Sequence, residues 1–485
     1  MAKNERICII GAGPAGLAAA MYLEKKGYTN YTIFEKANRV GGKCFSPKMK
    51  VTHNGVTEEK SFETGAIMGA ITYHAIHELE EFGGYHHAGP DWKENEPNMR
   101  REFRTLDGKV YEPFNPKSNF TFKKLFGLLK LKKQMKQLNE IMQTKYFGYD
   151  CYGHLGVAKG EYYGLSKGVE GYCGATKENS FPNYIKGSNP NLKDLALPYN
   201  EFCKLNGVER VQDIWLAPFT SFGYGYFDEI PAALVMKYLD VTTALQFVNM
   251  KLWTWEDGTE QIFVHVNDKL KNPAILNTEV VKVERPEGKV LVTVKYKDEV
   301  RTEEFDKLIV TTPLDLFKDI ADATKEEKEL FSKIVHERYC DFIATFEEGK
   351  SPNISGYMLD NMVPDRLGHA MVYYNRWQYL DRDCPATVYA LRNHNGDKET
   401  VSFDYTIKTM TEDMEKVGFP IKEKFYVQEV YYCPHVSCEE YADGWYDKVE
   451  EIQGAKNTYY AGEILSFGDM EDTCAISKDI VERFF

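Results

Sequence analysis

Apolar residues gather at the two ends of this chain in the order of a nucleotide-binding sheet. The run from Ile7 to Ile10 suits one buried strand, and the Ala- and Leu-rich stretch from Pro14 to Leu23 continues it as a helix. A second short strand, Y-T-I-F at 31 to 34, ends on Glu35. At the far end, T-Y-Y at 458 to 460 reads as a strand running into Ala461, Gly462 and Glu463. The residues after Phe467 read as a helix that starts near Asp469 or Met470. Between these ends, residues 275–285 read as a strand pair, after which residues 301–312 return to the sheet and stop at Pro313. Residues from 98 to 250 read as mainly helical, with the aromatic run from Pro218 to Asp228 as a loop or turn. The stretch from 316 to 450 mixes helices with strand-like alternation, as in H-A-M-V-Y-Y at 369 to 374.

The turn between the first strand and helix carries the first chemistry. Gly11 permits a tight turn, Gly13 lets the backbone approach a pyrophosphate, and Gly16 lets helix and strand pack closely, while the helix N-terminus offers free N–H groups. Glu35 stands where an acid can accept both ribose hydroxyls. Strand, glycines, helix, second strand and terminal acid in one short unit point to a dinucleotide. FAD is favoured over NAD by the next loop, where Gly41 and Gly42 wrap a second glycine turn over the phosphates beside Arg39 and Lys43. Val280 is placed to meet the adenine with a backbone group. The terminal helix points its dipole at the N1/O2 edge of a flavin, or else simply caps the fold.

Because these signatures lie at opposite ends, the cofactor domain is assembled from distant pieces. The expected architecture is α/β, a Rossmann-like FAD-binding domain of residues 1–80, 251–315 and 455–485. A mainly helical cap of residues 81–250 and a mixed α+β substrate domain of residues 316–454 are inserted into it. At 485 residues the chain exceeds one core, which agrees with about two or three domains.

A net charge of −13 argues against a nucleic-acid partner. Ten scattered cysteines without a C-x-x-C fit free thiols in a reducing compartment, and no apolar stretch reaches the length of a membrane span, so a soluble cytoplasmic protein is expected. Aromatic residues make up 14% of the chain, which suits a large apolar cavity or an ordinary core. His74 with His77, and His86 with His87, lack further ligands at matched spacing and read as surface histidines, so no metal is expected. The segment from Phe120 to Lys136 interleaves lysines with Phe and Leu at helical spacing. It reads first as a solvated helix packed on one face, and second as a helix resting transiently on an anionic membrane surface.

The motifs together resemble the flavin-dependent polyunsaturated fatty acid double-bond isomerases within the flavin-containing amine oxidase superfamily. The matching runs are I-G-A-G-P-A-G-L-A-A at 10 to 19, V-G-G-K-C at 40 to 44, G-A-I-M-G at 65 to 69, R-R-E-F at 100 to 103, F-G-Y-G at 222 to 225, L-W-T-W at 252 to 255, G-H-A-M-V-Y-Y at 368 to 374 and Y-A-G-E at 460 to 463. Segments 157–189 and 84–97 depart from the family's pattern near the expected entrance.

The resemblance implies a non-covalent FAD and a free polyunsaturated fatty acid as substrate, of the linoleic acid kind. Around the cofactor it implies Gly11, Gly13, Ala15 and Gly16 at the first turn and Glu35 with Lys36 at the ribose. Gly42 and Lys43 follow on the second loop, Ala66, Ile67 and Met68 near the flavin ring, and Val280, Glu463, Asp472 and Thr473 in the later segments. It implies Arg101 as the carboxylate-binding arginine and Phe247 as the aromatic that gates the channel with it; the alternative is that one of the adjacent Arg100 and Arg101 merely faces solvent or pairs with Glu102. The implied chemistry is loss of a hydride from a doubly allylic carbon to the flavin and its return one position along, with Phe219, Tyr224, Trp253 and Tyr373 as candidate faces for the cation. The competing expectation is an amine or amino-acid oxidase, in which Tyr459 or Tyr460 would frame the flavin. The oligomeric state is left open.

Overall fold

In the computed structural model the strand Ile7–Ile10 lies at the centre of a four-stranded parallel sheet, between Tyr31–Phe34 and Lys307–Val310, with Thr458–Tyr460 on the far side of Lys307–Val310. The structure describes residues 4–70, 73–86, 100–111, 113–114, 121–146, 192–238, 241–249, 252–378, 380 and 383–485. All four residues of Ile7–Ile10 are buried, because helices cover the sheet, and a strand enclosed on both faces reads as an unbroken apolar run. The helices Pro14–Lys25 and Met470–Phe484 pack against each other, so the first and last segments of the chain close one core.

The segment after 275 is organised differently from the strand pair read in the sequence. Ile275 makes only an isolated parallel bridge to Phe34, and Asn277, at φ +54°, turns the chain into a single strand, Thr278–Glu284. That strand joins Val290–Tyr296 and Glu299–Phe305 in a three-stranded antiparallel sheet. Arg301 therefore belongs to this smaller sheet, and the return to the parallel sheet begins at Lys307. The stop at Pro313 holds: the helix Leu314–Ile320 follows it directly.

The largest sheet has seven strands in the order Ile421–His435, Val335–Phe346, Ala386–Leu391, Val372–Tyr374, Ser355–Tyr357, Arg101–Arg104 and Val110–Tyr111. Residues 101–111, read with the helical stretch, instead supply two strands of this sheet. Arg101–Arg104 pairs in parallel with Ser355–Tyr357, which sets Arg101 opposite Ser355. Four residues are too few to show a period, and here the pairing partner decides. The helix Phe403–Lys416 covers one face over a second core that includes Phe342, Met410 and Met414.

The helical part contains Phe122–Gln143, Tyr199–Leu205, Gln212–Thr220, Ala232–Tyr238 and Val241–Val248. Pro218, read as the start of a loop, sits in the last turn of Gln212–Thr220, and the turn proper follows at Ser221–Tyr226 with Gly223 and Gly225 at positive φ. Segment 157–189, residues 87–97 and His87 lie outside the described residues. Among the described residues, no helix is long and apolar enough to cross a membrane.

Candidate active site

Two neighbouring cavities share part of their lining. The outer one is a cleft of about 490 Å³, lined among others by Gly11, Gly13, Ala15, Glu35, Lys36, Gly42, Lys43, Ala66, Val280, Glu463 and Thr473. Residues separated by hundreds of positions thus meet on one surface, as the sequence reading required. Gly16 sits one layer behind: a Cβ there would collide with the Gly11 carbonyl oxygen, and Gly11 itself holds φ +102°. The glycines therefore set the turn, and the turn brings the N-terminus of Pro14–Lys25 to the cleft. That helix has Gly13 at its cap with no side-chain acceptor, which leaves its first-turn N–H groups to a ligand anion.

Glu35 is fixed before any ligand arrives. Its carboxylate accepts from the backbone N–H of Ala12 and of Ala37, both at 2.8 Å, which aims it at the cleft between the first turn and the second. On the opposite side, Lys43 Nζ donates to Glu463 Oε1 at 2.7 Å and stands 5.4 Å from the Tyr432 ring centroid. An aimed acid, an uncapped helix start and a glycine-lined wall are the donor and acceptor set of a dinucleotide, and the residues fit FAD.

The inner cavity is a chamber of about 70 Å³. Ala66, Tyr432, Asp469 and Met470 line both cavities and so mark their junction. Ile67 and Met68, expected at the flavin ring, line the chamber beside that junction. Much of the remaining wall is aromatic, from Tyr73, Phe222, Tyr224, Tyr238, Tyr339 and Phe247, with Pro218 and Leu252 among the rest. Tyr432 and Tyr224 join their hydroxyls at 3.1 Å, and Tyr238 stacks on Phe467 with centroids 4.8 Å apart. Burial pushes the phenols of Tyr73, Tyr224, Tyr238, Tyr339 and Tyr432 above their ordinary range, so the chamber presents neutral hydroxyls and ring faces. Among the described lining residues Asp469 is the one carboxylate, and it caps Met470–Phe484, accepting from Asp472 N at 2.6 Å. The helix starts where the sequence placed it, with one of its end N–H groups taken by Asp469.

Arg101 contacts Phe247 without itself lining the chamber. Phe247 lines the chamber, and the Arg101 guanidinium donates to the carbonyl oxygens of Phe247 and Val248 at 2.5 and 2.6 Å. Arg100 is turned away, donating to Asn353 O at 3.0 Å with its side chain exposed. Glu102 pairs with Arg104 and Tyr373 instead of Arg100.

Several expected residues stand elsewhere. Asp472 does not line the cleft: its carboxylate is buried 3.3 Å from Lys237 Nζ, and burial without a partner would be costly for either charge. Tyr373 is buried in the second core against Glu102 and Arg104, Phe219 packs behind Tyr224 at 5.5 Å, and Trp253 pairs its backbone with Gly69. Of the four aromatic candidates, Tyr224 alone lines the chamber. Tyr459 packs on Phe484 and Phe485, and Tyr460 is bonded to Glu327 and Arg285, so neither reaches the lining that an oxidase frame requires. His77 faces Glu80 at 3.2 Å, and among the described residues no group of three or more His, Cys, Asp or Glu could hold a metal ion. The eight described cysteines are free thiols.

Sequence reasoning missed Tyr238, Tyr339 and Tyr432. Tyr339 and Tyr432 come from adjacent strands of the large sheet and stack at 5.7 Å, a pairing with no local signal. Phe222 and Tyr224 did carry one, the F-G-Y-G run.

Known proteins resemble this chain in sequence or fold. The crystal structure of the CLA-producing fatty acid isomerase from P. acnes is 41% identical, with 100% of both chains covered and a TM-score of 0.83. The polyenoic fatty acid isomerase of Ptilota filicina is 22% identical over 360 residues, 70% of this chain and 65% of that protein. The senecionine N-oxygenase of Tyria jacobaeae is 37% identical over 81 residues, so the chain spans only 17% of that relative's length. Putrescine oxidase bound to putrescine shares the fold at 13% identity and a TM-score of 0.64, covering 99% of this chain and 98% of that one. A family model for flavin containing amine oxidoreductases matches residues 14–338, and the chain belongs to that family.

Proposed function

We propose that the chain is an FAD-dependent isomerase that moves a double bond of a free polyunsaturated fatty acid, such as linoleic acid, into conjugation. The observation that carries this reading is Arg101 held against Phe247, which lines an aromatic chamber that shares wall residues with the cofactor cleft. The full-length likeness to the P. acnes isomerase supports the same chemistry.

Gly11, Gly13, Glu35 and Lys43 hold the dinucleotide, and bound flavin supplies a hydride acceptor that can also give the hydride back. An apolar tail gains about 0.8 kcal/mol per buried CH2, enough for affinity but almost indifferent to sliding. Register therefore depends on Arg101, whose two donors can exchange the Phe247 and Val248 carbonyls for the two carboxylate oxygens. The chamber phenols are neutral, and a doubly allylic C–H lies far above any side-chain base, so the residues stabilise a cation with ring faces and leave the proton alone. Exclusion of water by Phe222, Tyr238 and Tyr339 protects that cation from capture.

The test is to incubate the yellow protein with linoleate without oxygen, following conjugated-diene absorbance and the flavin spectrum together. Diene growth with no lasting bleaching is expected. Lasting bleaching without diene would replace this reading by an oxidase.

A further inference from the structure

The helix Phe122–Gln143 has two apolar faces, and the protein covers one of them. Leu131, Met135, Leu138 and Met142 are buried, whereas Phe122, Phe126 and Leu129 are 72%, 67% and 54% exposed. At about 100° per residue the three exposed residues fall within about 60° of one another, and about 180° from the buried four. Lys123, Lys130, Lys132, Lys133 and Lys136 are exposed around and beyond that stripe, and Glu140 is the only acid on the helix. In a chain of net charge −13 this gathers positive charge on one surface. Lysines alone would serve a solvated helix, but large apolar residues aligned on the same face would not.

The helix is linked to the chamber wall through intervening elements. Gln134 donates to Gly207 O at 2.9 Å and accepts from Arg210 N at 2.7 Å, tying the helix to the turn Glu209–Val211. That turn runs into Gln212–Thr220, which carries Pro218 to the chamber wall and packs on Val241–Val248, the helix of Phe247.

We propose that this face docks on an anionic lipid bilayer. Phe126 and Leu129 enter the headgroup boundary, the lysines contact the anionic headgroups, and the fatty acid is drawn from the bilayer next to Phe247. The purpose of docking rests on the fatty-acid reading of the site, but the docking itself is read without turnover.

The experiment is vesicle flotation of the holoenzyme with phosphatidylcholine alone and with about one-third phosphatidylglycerol. At low salt the bound fraction is expected to rise about tenfold or more with the anionic lipid, and to fall as added salt shortens the screening length to about 8 Å and below. Phe126→Ser with Leu129→Ser, and separately Lys130→Glu with Lys133→Glu, each remove most of that binding while diene formation from detergent-dispersed linoleate stays unchanged. Equal binding to both vesicle types, absence of binding, or variants that float like the parent would overturn the proposal. So would a lipid-free dimer that Phe126→Ser with Leu129→Ser turns into monomer, since the face would then belong to a second copy. Flotation as expected, with no diene formed in detergent, would leave docking standing and remove the isomerase reading.

Discussion

The Arg101 guanidinium lies 4.6 Å from the Phe247 ring centroid while donating to that residue's carbonyl oxygen, so a single arginine fixes both the backbone and the ring of Phe247. Its second hydrogen bond, to Val248 O, ties the guanidinium to the C-terminal end of Val241–Val248. In this arrangement the helix carbonyls hold both guanidinium donors. On the proposed reading, a substrate carboxylate that takes those donors would release Phe247 in the same exchange.

Arg101→Ala should lower kcat/KM for the free acid by about 10- to 100-fold, the range for hydrogen bonds to a charged group. Its methyl ester should suffer much less. Arg101→Lys should not restore the free acid, because an ammonium cannot reproduce the two parallel donors. Steady-state kinetics on both substrates checks this, and equal losses for acid and ester would remove Arg101 from carboxylate binding.

Glu35→Ala should weaken FAD retention by about 10- to 100-fold, since it deletes the acceptor that Ala12 N and Ala37 N hold in place. The flavin-to-protein absorbance ratio after dialysis reads the effect. Retention equal to the parent would place the ribose elsewhere.

Gly16→Ala forces a methyl group onto the Gly11 carbonyl oxygen, and backbone cannot yield as a side chain can. A cost of about 1–3 kcal/mol is expected, seen as a lower Tm together with loss of bound flavin. An unchanged Tm would contradict the close helix–strand packing.

Glu337 gives a pH-dependent prediction. It is fully buried, neither carboxylate oxygen has a hydrogen-bond partner among the described residues, and His435 Nε2 stands 3.9 Å away. Burial, then the charges of Glu229 and Asp397, push its carboxyl well above 4.5. The folded state keeps a proton that the unfolded chain loses above about 4.5, so this group's contribution to stability is present below that pH and is lost as pH rises. Glu337→Gln should therefore raise Tm by a few degrees or more at about pH 8 and change it little at about pH 5. Thermal unfolding at the two pH values checks the sign, and equal shifts would mean that Glu337 is ionised in the fold.

The sequence made the cofactor cleft legible because its determinants are local. The turn from Gly11 to Gly16, the acid at the end of Tyr31–Phe34 and the cap at Asp469 are each set by neighbours within a few residues. Arg101 and Phe247 came from resemblance, since four residues of strand and eight of helix carry no chemistry by themselves. What the sequence hid is non-local. The resemblance implies Asp472 at the cofactor, and nothing near it in sequence reveals Lys237, which arrives from a helix more than two hundred residues earlier. The phenols of Tyr339 and Tyr432 meet only through the pairing of two long strands, and Tyr373 is claimed by Glu102 and Arg104 from a strand that was read as helical.

The central claim is that a hydride leaves one carbon of the lipid and returns to another without passing through solvent. Linoleate carrying two deuterium atoms on the doubly allylic carbon, converted without oxygen in ordinary water, tests it most directly by mass spectrometry of the product. The account predicts that both are retained in the conjugated diene, one on its original carbon and one at a new position. Loss of one of the two to water would contradict hydride return.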